Sequence, residues 1–193
     1  MNTRINLAIF ISGQGSNARN LIRHFHKHAL VNVSMVISSR PNDEMKGFSE
    51  QWGLQYLEIA PWNEALVFPM LEEANIHAMV LAGFLRKITP ALISRFPDKI
   101  INIHPSLLPK YGGKGMYGRF VHEAVFLANE KETGITVHFV NEAYDDGQVL
   151  LQASCAIAPE DSIEDIEEKV KQLEQRFFPE AVSRFCAVLH GRG

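Results

Sequence analysis

The architecture turns on the stretch Ile5–Asn17, "INLAIFISGQGSN". Its apolar half is too short to cross a membrane and long enough for a buried strand. It runs straight into small residues rather than a signal-peptide cleavage site, so it reads as a first strand followed by a tight loop. Glycines placed between a strand and a helix let backbone N–H groups approach an anion at the positive end of the helix dipole. Gly13, Gln14, Gly15, Ser16 and Asn17 are therefore a candidate phosphate loop, with a plain tight turn as the alternative. Gly13-x-Gly15-x-x-Ala18 also fits the looser dinucleotide fingerprint. At the end of the second strand, where an NAD site wants an acid, the sequence reads Ser38-Ser39-Arg40, and an arginine suits NADP instead.

Outward from this stretch, strand-length apolar runs alternate with helical periods. Strands are expected at Ile5–Ser12, Val31–Ser38, Gln55–Ile59, Ile76–Phe84 and Lys99–His104, with helices near 17–28, 43–52, 63–74 and 89–96. Such alternation implies an α/β fold, an open, mostly parallel twisted sheet flanked by helices. Beyond residue 130, two strand-like runs around an acidic turn imply an antiparallel element near the C-terminal end. Ser162 to about His190 is expected to be helical, with Asp161 or Ser162 as N-cap and a kink or break at Pro179. The 193 residues suggest one domain over 1–193, an N-terminal phosphate-binding half to about 100 and a catalytic, ligand-binding half from about 101.

A net charge of −3 gives no reason to expect nucleic acid or an anionic membrane as partner. Cys155 and Cys186 lie in apolar surroundings without zinc-like spacing, which implies reduced, buried thiols, no metal and a cytoplasmic setting. His24, His26 and His28 are spaced two apart near a helix end and read as solvated rather than metal-binding.

Ligands of open α/β sheets bind beyond the carboxyl ends of the strands. That rim would carry Ser12–Asn17, Gly83–Ile88 and Asn102–Pro105. Asn102 and His104 alternate on one strand and so share a face, and Pro105 ends the strand. Two such donors suit an oxyanion hole; they equally suit a strand cap and a core histidine. "YDDG", Tyr144–Gly147, offers a carboxylate that could serve an imidazole, or simply a turn.

Together "SGQGSN", "LAGFLRKITP", "NIHPSLLPKY" and "HFVNEAYDDGQVLLQA" resemble the folate-dependent glycinamide ribonucleotide formyltransferases, in order, in spacing and over nearly the whole chain. The resemblance implies a Rossmann-like formyltransferase fold. It also implies formyl transfer from 10-formyltetrahydrofolate, as cosubstrate, to glycinamide ribonucleotide in purine biosynthesis, by a monomer or homodimer. It makes Asn102, His104 and Asp145 catalytic, with His104 charged beside Asp145. Residues 13–17 and Glu174 would hold the ribonucleotide. Phe84, Leu85, Arg86, Lys87, Ile88, Asn102, Val140, Asn141, Glu142, Ala143 and Tyr144 would line the folate site. The chain departs from the family pattern at Gln14, at the adjacent Asp145 and Asp146, and in a longer loop over Lys110–Gly118. His122 keeps a family histidine, to which no chemical role is given. Sister formyltransferases acting on tRNA or sugar nucleotides, or hydrolysing the folate, usually carry additional domains; an NADP oxidoreductase would leave Asn102, His104 and Asp145 unused.

Overall fold

The computed structural model describes residues 4–191. Seven strands form one sheet: β1 (Ile5–Ile11), β2 (Val31–Ser38), β3 (Gln55–Glu58), β4 (Ala78–Leu81), β5 (Ile100–His104), β6 (Glu132–Phe139) and β7 (Val149–Ala156). The helices are α1 (Ser16–Phe25), α2 (Asp43–Gln51), α3 (Val67–Glu73), α4 (Pro90–Arg95), α5 (Arg119–Leu127) and α6 (Ile163–His190), with a 3-10 turn at Glu64–Leu66 before α3. The spatial order is β3-β2-β1-β4-β5-β6-β7. The first five of these pair in parallel, whereas β6 pairs antiparallel with both β5 and β7. No helix among the described residues is long and apolar enough to cross a membrane.

The period of two divides β1 between two cores. Leu7, Ile9 and Ile11 join the layer beneath α1 and α6, while Ala8 and Phe10 join the layer with α3 and α4. This explains why the strand reads as an unbroken apolar run: both faces are covered. The chain builds outward from β1 through β2 to β3, then returns to lay β4 on the other side of β1. That reversal opens a crevice beyond the carboxyl ends of β1 and β4.

Ser162 caps α6 in a reciprocal box with Asp165. Of the kink or break expected at Pro179, the break does not occur; α6 continues through it to His190. Proline removes the N–H that would bond the carbonyl of Gln175, four residues back. Asn20 Nδ2 of α1 donates to that carbonyl at 2.8 Å instead, so the interruption is satisfied from a neighbouring helix. A second correction concerns Cys155, which lies half-buried on the edge strand β7, whereas Cys186 is fully buried as expected. His24 and His26 are exposed, and His28 accepts from the backbone N–H groups of Leu30 and Val31.

Candidate active site

A cleft of about 700 Å³ opens at the crevice, lined by the segments after β1, β4 and β5, the turn after β6, the loop before α5 and one face of α6. Gly13, Gln14, Gly15, Ser16 and Asn17 form one end. Gly15 takes a left-handed conformation (φ 77°), and a Cβ there would lie 2.9 Å from the sulfur of Met45. Any other residue would strain the turn and push on α2. No side chain caps the N-terminus of α1, and its first turn holds no acid. That end of the cleft thus favours an anion.

The loop is tied to its neighbours. Ser12 N–H donates to the carbonyl of Gly83, and the Ser12 hydroxyl accepts from Leu85 N–H at 2.8 Å while sharing a hydrogen with Ser39 at 2.7 Å. Asn42 Nδ2 holds the carbonyl of Gly13. On the far side, Asn17 Nδ2 donates to Glu174 at 2.8 Å, and Gln175 Nε2 donates to Asn17 Oδ1. Burial raises the Glu174 carboxyl above its ordinary value, although Asn17 and Lys171 favour its charged form. Glu167, Val170 and Lys171 also line the cleft. They stand seven, four and three residues before Glu174, so all four share one face of α6. The sequence motifs single out only Glu174 as a binding residue. The i, i+3, i+4, i+7 spacing is the signal that would have found the other three.

The opposite end is a slot. Phe84, Leu85, Arg86, Lys87 and Ile88 face Val140, Asn141, Ala143 and Tyr144, and the Lys87 ammonium lies 5.3 Å from the centre of the Tyr144 ring. Glu142 does not line the cleft. Asn141 Oδ1 accepts from Ala143 N–H, and this short turn leaves Glu142 exposed on its outside. Arg40, the residue that would suit NADP, is likewise exposed and outside the cleft.

Between the two ends, Asn102, His104 and Asp145 converge with a fourth group. Register explains it: antiparallel β6 places His138 directly opposite Asn102. His138 Nδ1 meets the carbonyl of Phe139 at 2.9 Å, and a carbonyl only accepts, so Nδ1 carries hydrogen. In the neutral ring, Nε2 then accepts from Asn102 Nδ2 at 3.2 Å. Asn102 Nδ2 also lies 3.5 Å from Asp145 Oδ1. The Asp145 carboxylate spans both imidazoles, 3.6 Å from His104 Nδ1 and 3.6 Å from His138 Nε2. Gly113 N–H donates to its Oδ2 at 2.9 Å. Gly147 is obligatory in this turn, because a Cβ there would lie 1.7 Å from the carbonyl oxygen of Phe139.

Burial pushes the Asp145 carboxyl up, but His138, then His104, wherever these rings carry the proton that faces it, and the Gly113 N–H together hold it below the usual range. For His104 the balance falls the other way. Burial lowers the imidazole more than Asp145 and the Tyr111 carbonyl raise it, and His138 adds to the lowering. In the ligand-free site burial therefore favours the neutral ring of His104 over the imidazolium that the resemblance implies. In that neutral ring Nε2 donates to the carbonyl of Tyr111 at 2.8 Å, which leaves the lone pair on Nδ1, facing Asp145. His122, at the start of α5, also lines the cleft, with Nδ1 buried and unpartnered.

The sequence profile of the family described as formyl transferase matches residues 5–182. A phosphoribosylglycinamide formyltransferase of Haemophilus influenzae is 34% identical over 195 aligned residues, covering 93% of this chain and 86% of that protein. The chloroplastic phosphoribosylglycinamide formyltransferase of Arabidopsis thaliana is 33% identical, over 95% of this chain and 66% of its own. Among solved structures, glycinamide ribonucleotide transformylase 1 from Symbiobacterium toebii superimposes with a TM-score of 0.86 at 28% identity, covering 95% of this chain and 88% of that one.

Proposed function

This chain belongs to the formyl transferase family, and from that membership we propose that it transfers the formyl group of 10-formyltetrahydrofolate to the primary amine of glycinamide ribonucleotide. The products are formylglycinamide ribonucleotide and tetrahydrofolate, a step of purine biosynthesis. The observation that carries this reading is the convergence of Asn102, His104, His138 and Asp145 in one cleft that also holds an uncapped helix N-terminus and a slot between residues 84–88 and 140–144. The first suits a phosphate and the second a planar ring system. In this reading residues 1–193 act as one formyltransferase domain.

The ribonucleotide phosphate sits against the backbone of Gly13–Asn17, and Lys171 supplies a cation from the facing side of α6. Glu174 accepts from the ribonucleotide, as it accepts from Asn17 in the free protein. Phe84 to Ile88 clasp the folate together with Val140, Asn141, Ala143 and Tyr144, and Lys87 over Tyr144 suits a mouth that must admit and release a flat ligand. These placements bring the amine nitrogen and the formyl carbon together beside Asn102 and His104.

Attack by the amine makes a new C–N bond and moves an electron pair onto the formyl oxygen. Asn102 can turn the N–H that it now points weakly at Asp145, 3.5 Å away, toward that oxyanion. His104 contributes once Nδ1 is protonated, and the ionised Asp145 beside it stabilises that state. The proton leaves the amine and reaches the folate nitrogen as the old C–N bond breaks. Asp145 lies where it can relay this proton, directly or through water. The reaction needs no metal in this scheme. Two free cysteines suit a reducing cytoplasm, whereas the plant relatives' names place those proteins in chloroplasts.

The test mixes purified protein with 10-formyltetrahydrofolate, with and without glycinamide ribonucleotide, and follows tetrahydrofolate release and product mass. Release that depends on the ribonucleotide, with a formylated product, is expected. Equal release without the acceptor identifies a hydrolase and removes the proposal.

A further inference from the structure

The hydrogen bonds that orient His104 continue outside the cleft. The carbonyl that receives His104 Nε2–H belongs to Tyr111, which holds a left-handed backbone conformation (φ 56°) despite carrying a Cβ. Such a conformation is strained for an L-residue, so the surroundings must hold it. The side chain is held at its far end: Tyr111 Oη–H donates to Glu130 Oε1 at 2.9 Å, and Lys110 Nζ reaches the same oxygen at 2.8 Å. Glu130 lies between α5 and β6, and neither it nor Tyr111 lines the cleft. Ser106 fastens the start of this loop by donating to the carbonyl of Lys110. Two residues beyond Tyr111, Gly113 N–H holds Asp145. One short loop therefore sets both His104 and the carboxylate that faces it.

We propose that Glu130 is a positioning residue of the reaction: by anchoring the Tyr111 phenol it fixes the Tyr111 carbonyl on His104 Nε2, and so dedicates Nδ1 to Asp145 and the reacting groups. This rests on the reading of His104 given above. Without the anchor, Tyr111 relaxes out of the left-handed region, its carbonyl swings away and the imidazole is free to turn over or exchange tautomers. The charged or titratable groups that face His104 are Asp145 in the turn after β6, His138 on β6 and His122 on α5. Glu130 touches none of these in the hydrogen bonds and ion pairs of the described residues, so its effect travels through Tyr111.

The experiment compares Tyr111→Phe, Glu130→Ala, their combination and Glu130→Gln, whose amide oxygen still accepts from the phenol. NMR follows the His104 ring nitrogens through a pH titration of the ligand-free protein, alongside kcat and KM. Tyr111→Phe keeps the ring but loses the donor, and Glu130→Ala removes the acceptor; each should lower kcat about tenfold with little change in KM. Each should also move the His104 titration to lower pH, because a carbonyl accepting Nε2–H favours the protonated ring. The double variant should lose no more than either single one, and Glu130→Gln should stay near wild type. Folded Tyr111→Phe protein with an unmoved His104 titration overturns the proposal, as do fully additive losses. A moved titration with unchanged kcat also overturns it, because Glu130 would then set the state of His104 without serving the reaction. If Glu130→Ala fails to fold, Tyr111→Phe and Glu130→Gln decide alone.

Discussion

Glu174, the proposed contact to the ribonucleotide, shows how a group lining a cleft can work against the stability of the protein that holds it. Its folded pKa is raised by burial above the unfolded value, so its favourable contribution exists at low pH and is lost as pH rises through the folded pKa. At neutral pH the ionised group is a cost. Glu174→Gln keeps an acceptor for Asn17 and removes the charge. Melting should therefore shift upward at pH 7, while KM for the ribonucleotide rises about tenfold; calorimetry and steady-state kinetics check the two halves separately. His104→Ala and Asp145→Asn should leave the melting temperature within a few degrees yet lower kcat by about 10²–10³. Wild-type turnover in either variant removes that residue from the chemistry. The alternation of Asn102 and His104 was legible because a strand's period is fixed by geometry. His138 was not legible, because what brings it to Asn102 is the register between two strands, and a period says nothing about register.

The longest helix is where local rules alone mislead. Pro179 reads as a break, and it would be one in an isolated peptide. In the folded chain Asn20 supplies the hydrogen that proline lacks, so α6 passes on intact from Glu167, Lys171 and Glu174 at the cleft to its packing against β6. The same helix pair is joined at Asn17 and Glu174; the repair of the proline and the rim of the cleft belong to one α1–α6 contact. Asn20→Ala should cost about 1 kcal/mol, because it leaves the Gln175 carbonyl without its partner, and should lower the melting temperature by roughly 2–4 °C. In a Pro179→Ala background the restored N–H should take over that carbonyl, and the Asn20→Ala penalty should shrink toward zero. An undiminished penalty in the double-mutant cycle would mean that Asn20 acts through some other contact. The strands and most helices followed from apolar periods, with ends off by a few residues; α5, Arg119–Leu127, was not among the helices those periods placed. The expected Ile76–Phe84 strand contracts to Ala78–Leu81, since the apolar residues beyond it turn away to form the wall of the slot, and an apolar run does not record where pairing stops.

The sheet's reversal beside β1 opens a cleft along which titratable groups are buried, and this should make the stability of the molecule depend on pH. His104 and His122 are buried at the cleft and lowered chiefly by desolvation; His77, which accepts from Asn6 N–H, is lowered as well. A histidine with a folded pKa below its unfolded value binds fewer protons when folded. As pH falls below about 6.5, the unfolded chain gains protons that the native state refuses, and stability is lost. Glu174 carries the opposite sign, losing stability as pH rises above about 4.5 through its folded pKa. Asp145, depressed in the fold, withdraws its contribution only as pH falls below about 4. Between about pH 5 and 7 the histidines outnumber the glutamate, so the melting temperature should climb across that window. Glu174→Gln removes the opposing slope and should make the climb steeper, whereas His104→Ala should make it shallower. Scanning calorimetry of the three proteins at several pH values tests the assignment. Three parallel profiles would mean that neither cleft residue titrates differently in the folded and unfolded chains, and the electrostatic account of the cleft would fall with them.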